Sequence, residues 1–394
     1  MNDEPTLSRE TLLVRRSDLS LQLGSDGLVI SCDGREVETG AHGLAILDAF
    51  SAPRTISEVV AKLAVAGAHD FAALTRTILQ LKTAQVLTAP ANRLSEGLGW
   101  DSSSIHARML RDLSRTHSFL RALAEVVQPD DIVVDIGTGT GVLAIAAAKA
   151  GAKKVYAIEA SGIAGAASAM FERNGVADRI TLVRGWSTRV TLPEKATVMV
   201  SETVGNDALG EGIVETVLDA RRRLLEPGAR LMPERIRVWA IPCSLPDRIR
   251  EDHLFTRDNV ARWATEYGMS FEPLAEATRS PFALILAPQE VRGWRKLAPP
   301  VLIADLPLGE MEPLFELSAT FRATEAGPFE AALLYFDLGL SPSVTYGTHP
   351  DEVSDQHSWS YMVWLNDKPR EMAAGDSASL QYRYKFGAGK VRFL

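Results

Sequence analysis

Cysteine is almost absent from this sequence. Only Cys32 and Cys243 occur in 394 residues, far apart and in no CxxC or Cys/His pattern. Neither a disulfide framework nor a zinc site is indicated, and no metal is expected. A surplus of positive charge is missing too: 42 basic residues face 50 acidic ones, a net charge of -8. The balance argues against a nucleic-acid surface and suits a basic substrate. No apolar run reaches membrane-spanning length, since lysines interrupt even the alanine-rich stretch after Val142. The opening MNDEPTLSRE lacks the basic and apolar regions of a signal peptide, so a soluble cytoplasmic protein with no membrane partner is the expectation. The length leaves room for two or three domains.

What is present centres on residues 132–159, IVVDIGTGTGVLAIAAAKAGAKKVYAIE. Ile132 to Val134 form an apolar run that ends at Asp135 and reads as a buried parallel strand. Gly137, Gly139 and Gly141 follow, then a helical pattern over Val142–Ala150 with Gly151 as its C-terminal cap. Val155 to Ile158 is a second buried strand, ending in Glu159. Glycines in a strand-to-helix turn let a ligand approach the backbone, and an acid at the next strand end can grip a ribose diol. A nucleoside-like ligand fits. An ordinary glycine-rich turn and a nicotinamide site are the alternatives, but Asp135 would repel a pyrophosphate.

VDIGTGTG followed by VYAIEA resembles motif I and the second strand of the S-adenosylmethionine-dependent methyltransferases. The resemblance implies S-adenosyl-L-methionine as cofactor, held by Asp135, Gly137, Thr138, Gly139, Gly141, Glu159 and Ala160. The ligand's ammonium and sulfonium tolerate nearby acids.

Upstream, Leu12–Val14, Leu19–Leu23 and Gly27–Cys32 suggest short strands, with a turn at Ser25-Asp26-Gly27. Helical segments are expected over Gly43–Phe50, Thr55–Leu63 and Phe71–Ala84, with Thr55 and Glu58 spaced as a capping box. Val86-Leu87 is a final extended piece. This small winged-helix-like module, with ILDAFSAPRTISEVVAKL, a last helix and LKTAQVL, resembles the PqqD-like elements of enzymes that modify ribosomally made peptides. The resemblance implies leader-peptide recognition by β-augmentation. A structural cap and a DNA-binding winged helix are the other readings, the latter disfavoured by scattered basic residues.

Ala89–Gly99 reads as a linker and Ile105–Val126 as one long helix. Strands at Ile180–Arg184 and Thr197–Ser201 alternate with helices at Gly162–Asn174 and Ile213–Leu225, the last closed by Glu226-Pro227-Gly228. That order predicts a Rossmann-like α/β core with a doubly wound parallel sheet. Beyond Arg230, alternating runs such as Arg237–Ile241, Phe315–Phe321, Ala331–Leu338, Trp359–Leu365 and Leu380–Phe386 predict an antiparallel β-barrel, interrupted by a helical, charged stretch at Pro246–Ala264. The expected domains are 1–92, 93–232 and 233–394.

Glu202 ends the fourth core strand and Glu211 follows nine residues later, before a helix. Two carboxylates match a guanidinium fork, which stays charged at any working pH. A structural acid beside a solvated one is the plainer alternative. The loop SETVGNDALGEG resembles the double-glutamate loop of the protein arginine methyltransferases, and IHARMLRDLSRT resembles the helix preceding motif I in that family. The resemblance implies that Glu202 and Glu211 are catalytic, with Glu202 also beside the cofactor. It further implies that Arg115 binds the cofactor carboxylate, that Met109 lines the active site, and that Asp112 ties the helix to the active-site loops. Trp263–Pro273 resembles a further barrel segment, and a dimerisation arm near Pro246–Tyr267 implies a homodimer. Three positions depart from the family. Trp100 stands for a tyrosine, Thr188 for the acid that contacts adenine, and His357-Ser358-Trp359 carries serine at the usual histidine place, with His357 and Trp359 on the substrate side.

The combined expectation is an N-methyltransferase that acts on an arginine of a leader-bearing precursor peptide. Another nitrogen acceptor and a non-catalytic peptide-binding scaffold are the alternatives.

Overall fold

A computed structural model describes residues 8, 11–15, 19–23, 27–32, 35–40, 42–51, 54–65, 67, 70–84, 86–88, 102–277, 282–385 and 387–394. The chain forms two compact units, Met1–Glu96 and Gly97–Leu394. The expected linker, Trp100, Ser25 and Asp26 of the expected turn, and the Cys32 side chain lie outside the described residues.

The first unit runs β1 (Leu12–Arg15), β2 (Ser20–Leu23), β3 (Leu28–Cys32), β4 (Arg35–Thr39), α1 (Gly43–Ala49), β5 (Arg54–Thr55), α2 (Ile56–Val65), α3 (Phe71–Thr83) and β6 (Leu87–Thr88). Strands β2, β3 and β4 make an antiparallel meander, and β1 pairs with both β5 and β6. The capping box forms: Glu58 N donates to Thr55 Oγ1 at 3.2 Å and Thr55 N to Glu58 Oε2 at 2.8 Å. Ile46, Phe50, Val59, Leu74, Ile78 and Leu81 close the core. Strand β4 escaped the sequence reading because REVET offers one apolar residue among charged neighbours.

The second unit begins with α4 (Ser103–Arg111) and α5 (Leu113–Val126). The single helix expected over Ile105–Val126 is broken at Asp112. That residue leaves helical geometry (φ -76°, ψ 81°) and accepts a hydrogen bond from Arg115 N, capping α5. There follow β7 (Ile132–Ile136), α6 (Val142–Lys149), β8 (Lys154–Glu159), α7 (Ala164–Arg173), β9 (Ile180–Arg184), β10 (Ala196–Ser201), α8 (Ile213–Arg223) and β11 (Leu225–Met232). The five strands form a parallel sheet in the order β11-β10-β7-β8-β9. Glu226-Pro227-Gly228 does not close a helix as expected. Helix α8 stops at Arg223, and this stretch belongs to β11, bulged against β10. Strands β7 and β10 sit side by side at the sheet centre, so the loops after both converge on one crevice.

The remainder is antiparallel: β12 (Arg235–Cys243), α9 (Asp247–His253), α10 (Arg257–Tyr267), α11 (Glu272–Ala277), β13 (Ala283–Leu286), α12 (Pro288–Val291), β14 (Val301–Pro307), β15 (Leu314–Arg322), β16 (Gly327–Gly339), β17 (Thr345–Gly347), β18 (Tyr361–Met372), β19 (Ser377–Lys385) and β20 (Ala388–Phe393). One sheet is ordered β13-β18-β16-β12-β14 with β17 on β16, and the other β15-β19-β20. They close on each other where β14 meets β15 and β19 and where β18 meets β20, a β-barrel-like arrangement sharing one core with the parallel sheet. Trp263–Pro273, expected as a barrel segment, instead spans the end of α10, a short link and the start of α11. Thr256 caps α10 through Asn259 N, and Gly268 ends it in the left-handed conformation.

Candidate functional site

The glycine-rich turn after β7 is fixed from below by β8. Gly137 N and Thr138 N both donate to Ile158 O at 3.0 Å, and Gly139 N donates to Glu159 Oε2 at 2.8 Å. Ser161 N holds the other Glu159 oxygen at 2.7 Å, which aims the carboxylate across the turn. Asp135 is fully buried at the end of β7 and receives Thr138 Oγ1 at 2.5 Å. Burial pushes its carboxyl up to about 7; hydrogen bonds from Thr138 and Ala144 oppose that rise, while Glu159 and Glu202 add to it.

Opposite the turn, α4 and α5 bring His106, Met109 and Arg115 to a cavity of about 1020 Å³. Arg115 stacks on Trp359, its guanidinium carbon 5.2 Å from the ring centroid, and forms an ion pair with Glu202 at the end of β10. Asp112 joins these helices to the barrel. It receives Ser358 N at 2.9 Å, Ser358 Oγ at 3.1 Å and Tyr346 Oη at 3.3 Å, with His357 Nδ1 3.4 Å away. Burial opposes its ionisation, but hydrogen bonds from His357, Ser358 and Arg115 N hold its carboxyl at about 2.

The loop between β10 and α8 carries both glutamates to the same cavity. Its shape is set locally: Asp207 accepts from Gly210 N at 2.5 Å, and Ala208 adopts φ +70°. The barrel steadies it from outside, where Trp359 Nε1 donates to Val204 O at 2.6 Å and Ser360 N to Asn206 Oδ1 at 2.8 Å. Burial pushes Glu202 up to about 7 despite Arg115. Glu211 as a residue keeps solvent access through the cavity, yet burial of its carboxyl, with the charges of Glu202 and Asp207, pushes it up to about 8 against the pull of Arg115. Among the described residues, Glu159, Glu202, Glu211 and Glu215 line the cavity, against Arg115 as the one lining guanidinium. Such a cleft favours a cation.

Of the residues singled out from sequence, Met109, Arg115, Gly137, Thr138, Gly139, Glu159, Ala160, Glu202 and Glu211 all line this cavity. The others do not. Asp135 lies beneath the turn, and Asp112, His357 and Trp359 are buried behind the wall. Gly141 serves packing: its φ is +85°, and a Cβ there would overlap the Phe171 ring. Thr188, expected beside the base, is exposed and off the wall, because the turn after β9 presents Gly185, Trp186 and Ser187 instead. Sequence reasoning missed His106, Ser161, Trp186 and Glu215 on the wall and Tyr346 behind it. Only the exposed indole in a strand-end loop could have been noticed there.

Residues 114–229 match the family described as ribosomal protein L11 methyltransferase (PrmA). Protein arginine N-methyltransferase 1 of Schizosaccharomyces pombe is 31% identical over 280 residues, covering 69% of this chain and 79% of that protein. The Chlamydomonas reinhardtii protein of the same name is 34% identical over 215 residues, 52% of this chain and 60% of its own length. Probable protein arginine N-methyltransferase 6 of Arabidopsis thaliana is matched over 54% of its length, so the chain spans little more than half of some relatives. Among solved structures, the Trypanosoma brucei PRMT1 enzyme–prozyme heterotetrameric complex with AdoHcy superposes at TM-score 0.64 and 24% identity, covering 74% of this chain and 92% of that one. Arabidopsis thaliana protein arginine methyltransferase 10 gives 0.60 and 22%, covering 75% and 97%.

Proposed function

This chain belongs to the protein arginine N-methyltransferase family, and from that premise we propose that it methylates an arginine guanidinium with S-adenosyl-L-methionine as donor. One observation carries the reading: Glu202 and Glu211 meet the glycine-rich turn and Arg115 in a single acid-lined cavity. The donor's polar groups fit what the cavity leaves unsatisfied. Among the described residues, Arg115 Nε and Ser161 Oγ, both on residues that line the cavity, are buried with no hydrogen-bond partner.

Arg115 would take the donor's carboxylate, Glu159 its ribose diol, and the turn Gly137–Gly139 its backbone-facing edge. The donor, when bound, supplies a sulfonium methyl group as electrophile. Glu202 and Glu211 grip the substrate guanidinium, fix one nitrogen in line and localise positive charge away from it. A bound guanidinium draws both carboxyls toward the ionised form, and their raised proton affinity suits them to accept the proton that the nitrogen gives up. Glu202→Gln and Glu211→Gln should each cost about 100-fold or more in turnover, read by methyl incorporation into an arginine peptide. Intact turnover in either would remove the clamp.

The first unit, residues 1–92 of the expected division, is proposed as a PqqD-like peptide-recognition domain that delivers a leader-bearing precursor peptide. Supporting this, the outer edge of β4 has no strand partner among the described residues, and a groove runs between Glu36–Glu38 and Arg76, Leu79 and Thr83 of α3. Deleting 1–92 should abolish modification of the precursor while free short peptides remain substrates. Exposed Phe255, Tyr267, Met269 and Leu274 on the α9–α11 arm support a homodimer, to be read by light scattering. The roles of Asp112, His357 and Trp359 in shaping the substrate side, and a cytoplasmic location, belong to the same proposal.

A further inference from the structure

Trp186 stands out once the site is assembled. It is 64% exposed, has no aromatic partner among the described residues, and yet lines the cavity. Isolated exposed aromatics are ordinary on protein surfaces. This one is held in place: Gly185, at φ +137°, donates its N–H to Glu159 O at 2.9 Å, and the Trp186 carbonyl accepts from Arg189 N at 2.8 Å and Val190 N at 3.1 Å. The turn is thus pinned directly to the strand end that carries Glu159.

A donor whose methionine end meets Arg115 and whose ribose meets Glu159 must place its base farther along the wall. The next strand end in the sheet is that of β9, where Arg184 lies opposite Glu159 and the chain continues into Gly185–Ser187. Among the described residues, that end of the wall offers an indole and a serine but no carboxylate to accept from an exocyclic amine. We propose that Trp186 is the base platform of the cofactor site, holding a purine by stacking on its face rather than by reading its amino edge. A π-face is common to all purines, so the site tolerates changes at the 6-position.

The inference rests on the reading of the cavity as an S-adenosylmethionine site, and calorimetry separates the two. Binding of S-adenosyl-L-homocysteine and S-inosyl-L-homocysteine, which carries a 6-oxo group, is measured on the full chain and on Trp186→Ala and Trp186→Phe. Trp186→Ala should weaken the adenosyl compound by roughly 10- to 100-fold, and Trp186→Phe by less than ~5-fold. The two compounds should bind the native protein within ~5-fold of each other, whereas a site reading the amino group discriminates by orders of magnitude. An unchanged thermal midpoint in Trp186→Ala confirms that the exposed position leaves the fold intact. Equal binding by native protein and Trp186→Ala, or strong rejection of the inosyl compound, overturns the platform alone. No binding of the adenosyl compound to the native protein overturns the cofactor reading with it.

Discussion

Replacing Asp112 by asparagine tests how the site is held together. The side chain is almost wholly buried and serves three segments at once: it caps α5 at Arg115, receives Ser358 from the barrel loop, and meets Tyr346 on β17. The amide keeps the shape but turns one acceptor oxygen into a donor facing Ser358 N or Arg115 N. The environment favours the ionised form, holding the carboxyl at about 2 against an ordinary 3.8. At ~1.4 kcal/mol per pH unit that preference is worth roughly 2.5 kcal/mol. Because the folded value is depressed, the stabilisation is fully present above the unfolded value near 3.8 and is lost as pH falls through about 2. Urea unfolding at pH 5, 6, 7 and 8 should therefore show Asp112→Asn less stable by a constant amount of about 2–3 kcal/mol. A difference under ~0.5 kcal/mol, or one that fades between pH 8 and 5, would refute the reasoning.

The clamp predicts an opposite pH trend for activity. With Glu202 pushed up to about 7 and Glu211 to about 8, kcat/KM for an arginine peptide should rise with pH across that window, and a flat profile would contradict it. Both folded values are raised, so their contribution to stability is present below 4.5 and is lost as pH rises through 7 to 8. Glu211→Gln should accordingly flatten the fall of the thermal midpoint toward alkaline pH while lowering turnover by about 100-fold or more. Asp207→Asn removes a charge that raises Glu211, so the activity profile should move toward lower pH; its carboxamide oxygen still accepts from Gly210 N. Gly141→Ala should cost roughly 2–4 kcal/mol by urea unfolding, because a methyl group there meets Phe171 at an unfavourable φ. A neutral result would disprove that packing role.

The elements that follow local rules were legible in the chain. The apolar runs before Asp135 and Glu159 gave the central strands, and the Thr55–Glu58 spacing marked a helix start that the structure realises. Positions whose meaning depends on distant partners were not. The break at Asp112 needs Ser358, 246 residues later, to make a buried carboxylate worthwhile. Gly141 looks like a ligand glycine in sequence, and only the Phe171 ring beneath it reveals the packing constraint. The exchange of Thr188 for Trp186 on the wall follows from the hydrogen-bonded turn at Gly185, which no residue count could supply.

The stitches between the barrel loop and the methyltransferase half also bear on how the protein is made. Val204 O receives the Trp359 indole, Asn206 receives Ser360 N, and Asp112 receives Ser358. A ribosome releases the parallel sheet before the barrel, and domains emerging early can fold before the rest is synthesised. At that stage the glycine-rich turn exists, but the loop bearing Glu202 and Glu211 still lacks its outer supports. That loop should therefore reach its final shape late in translation, once residue 360 is free to dock, and a chain that stops short of the barrel would lack these contacts.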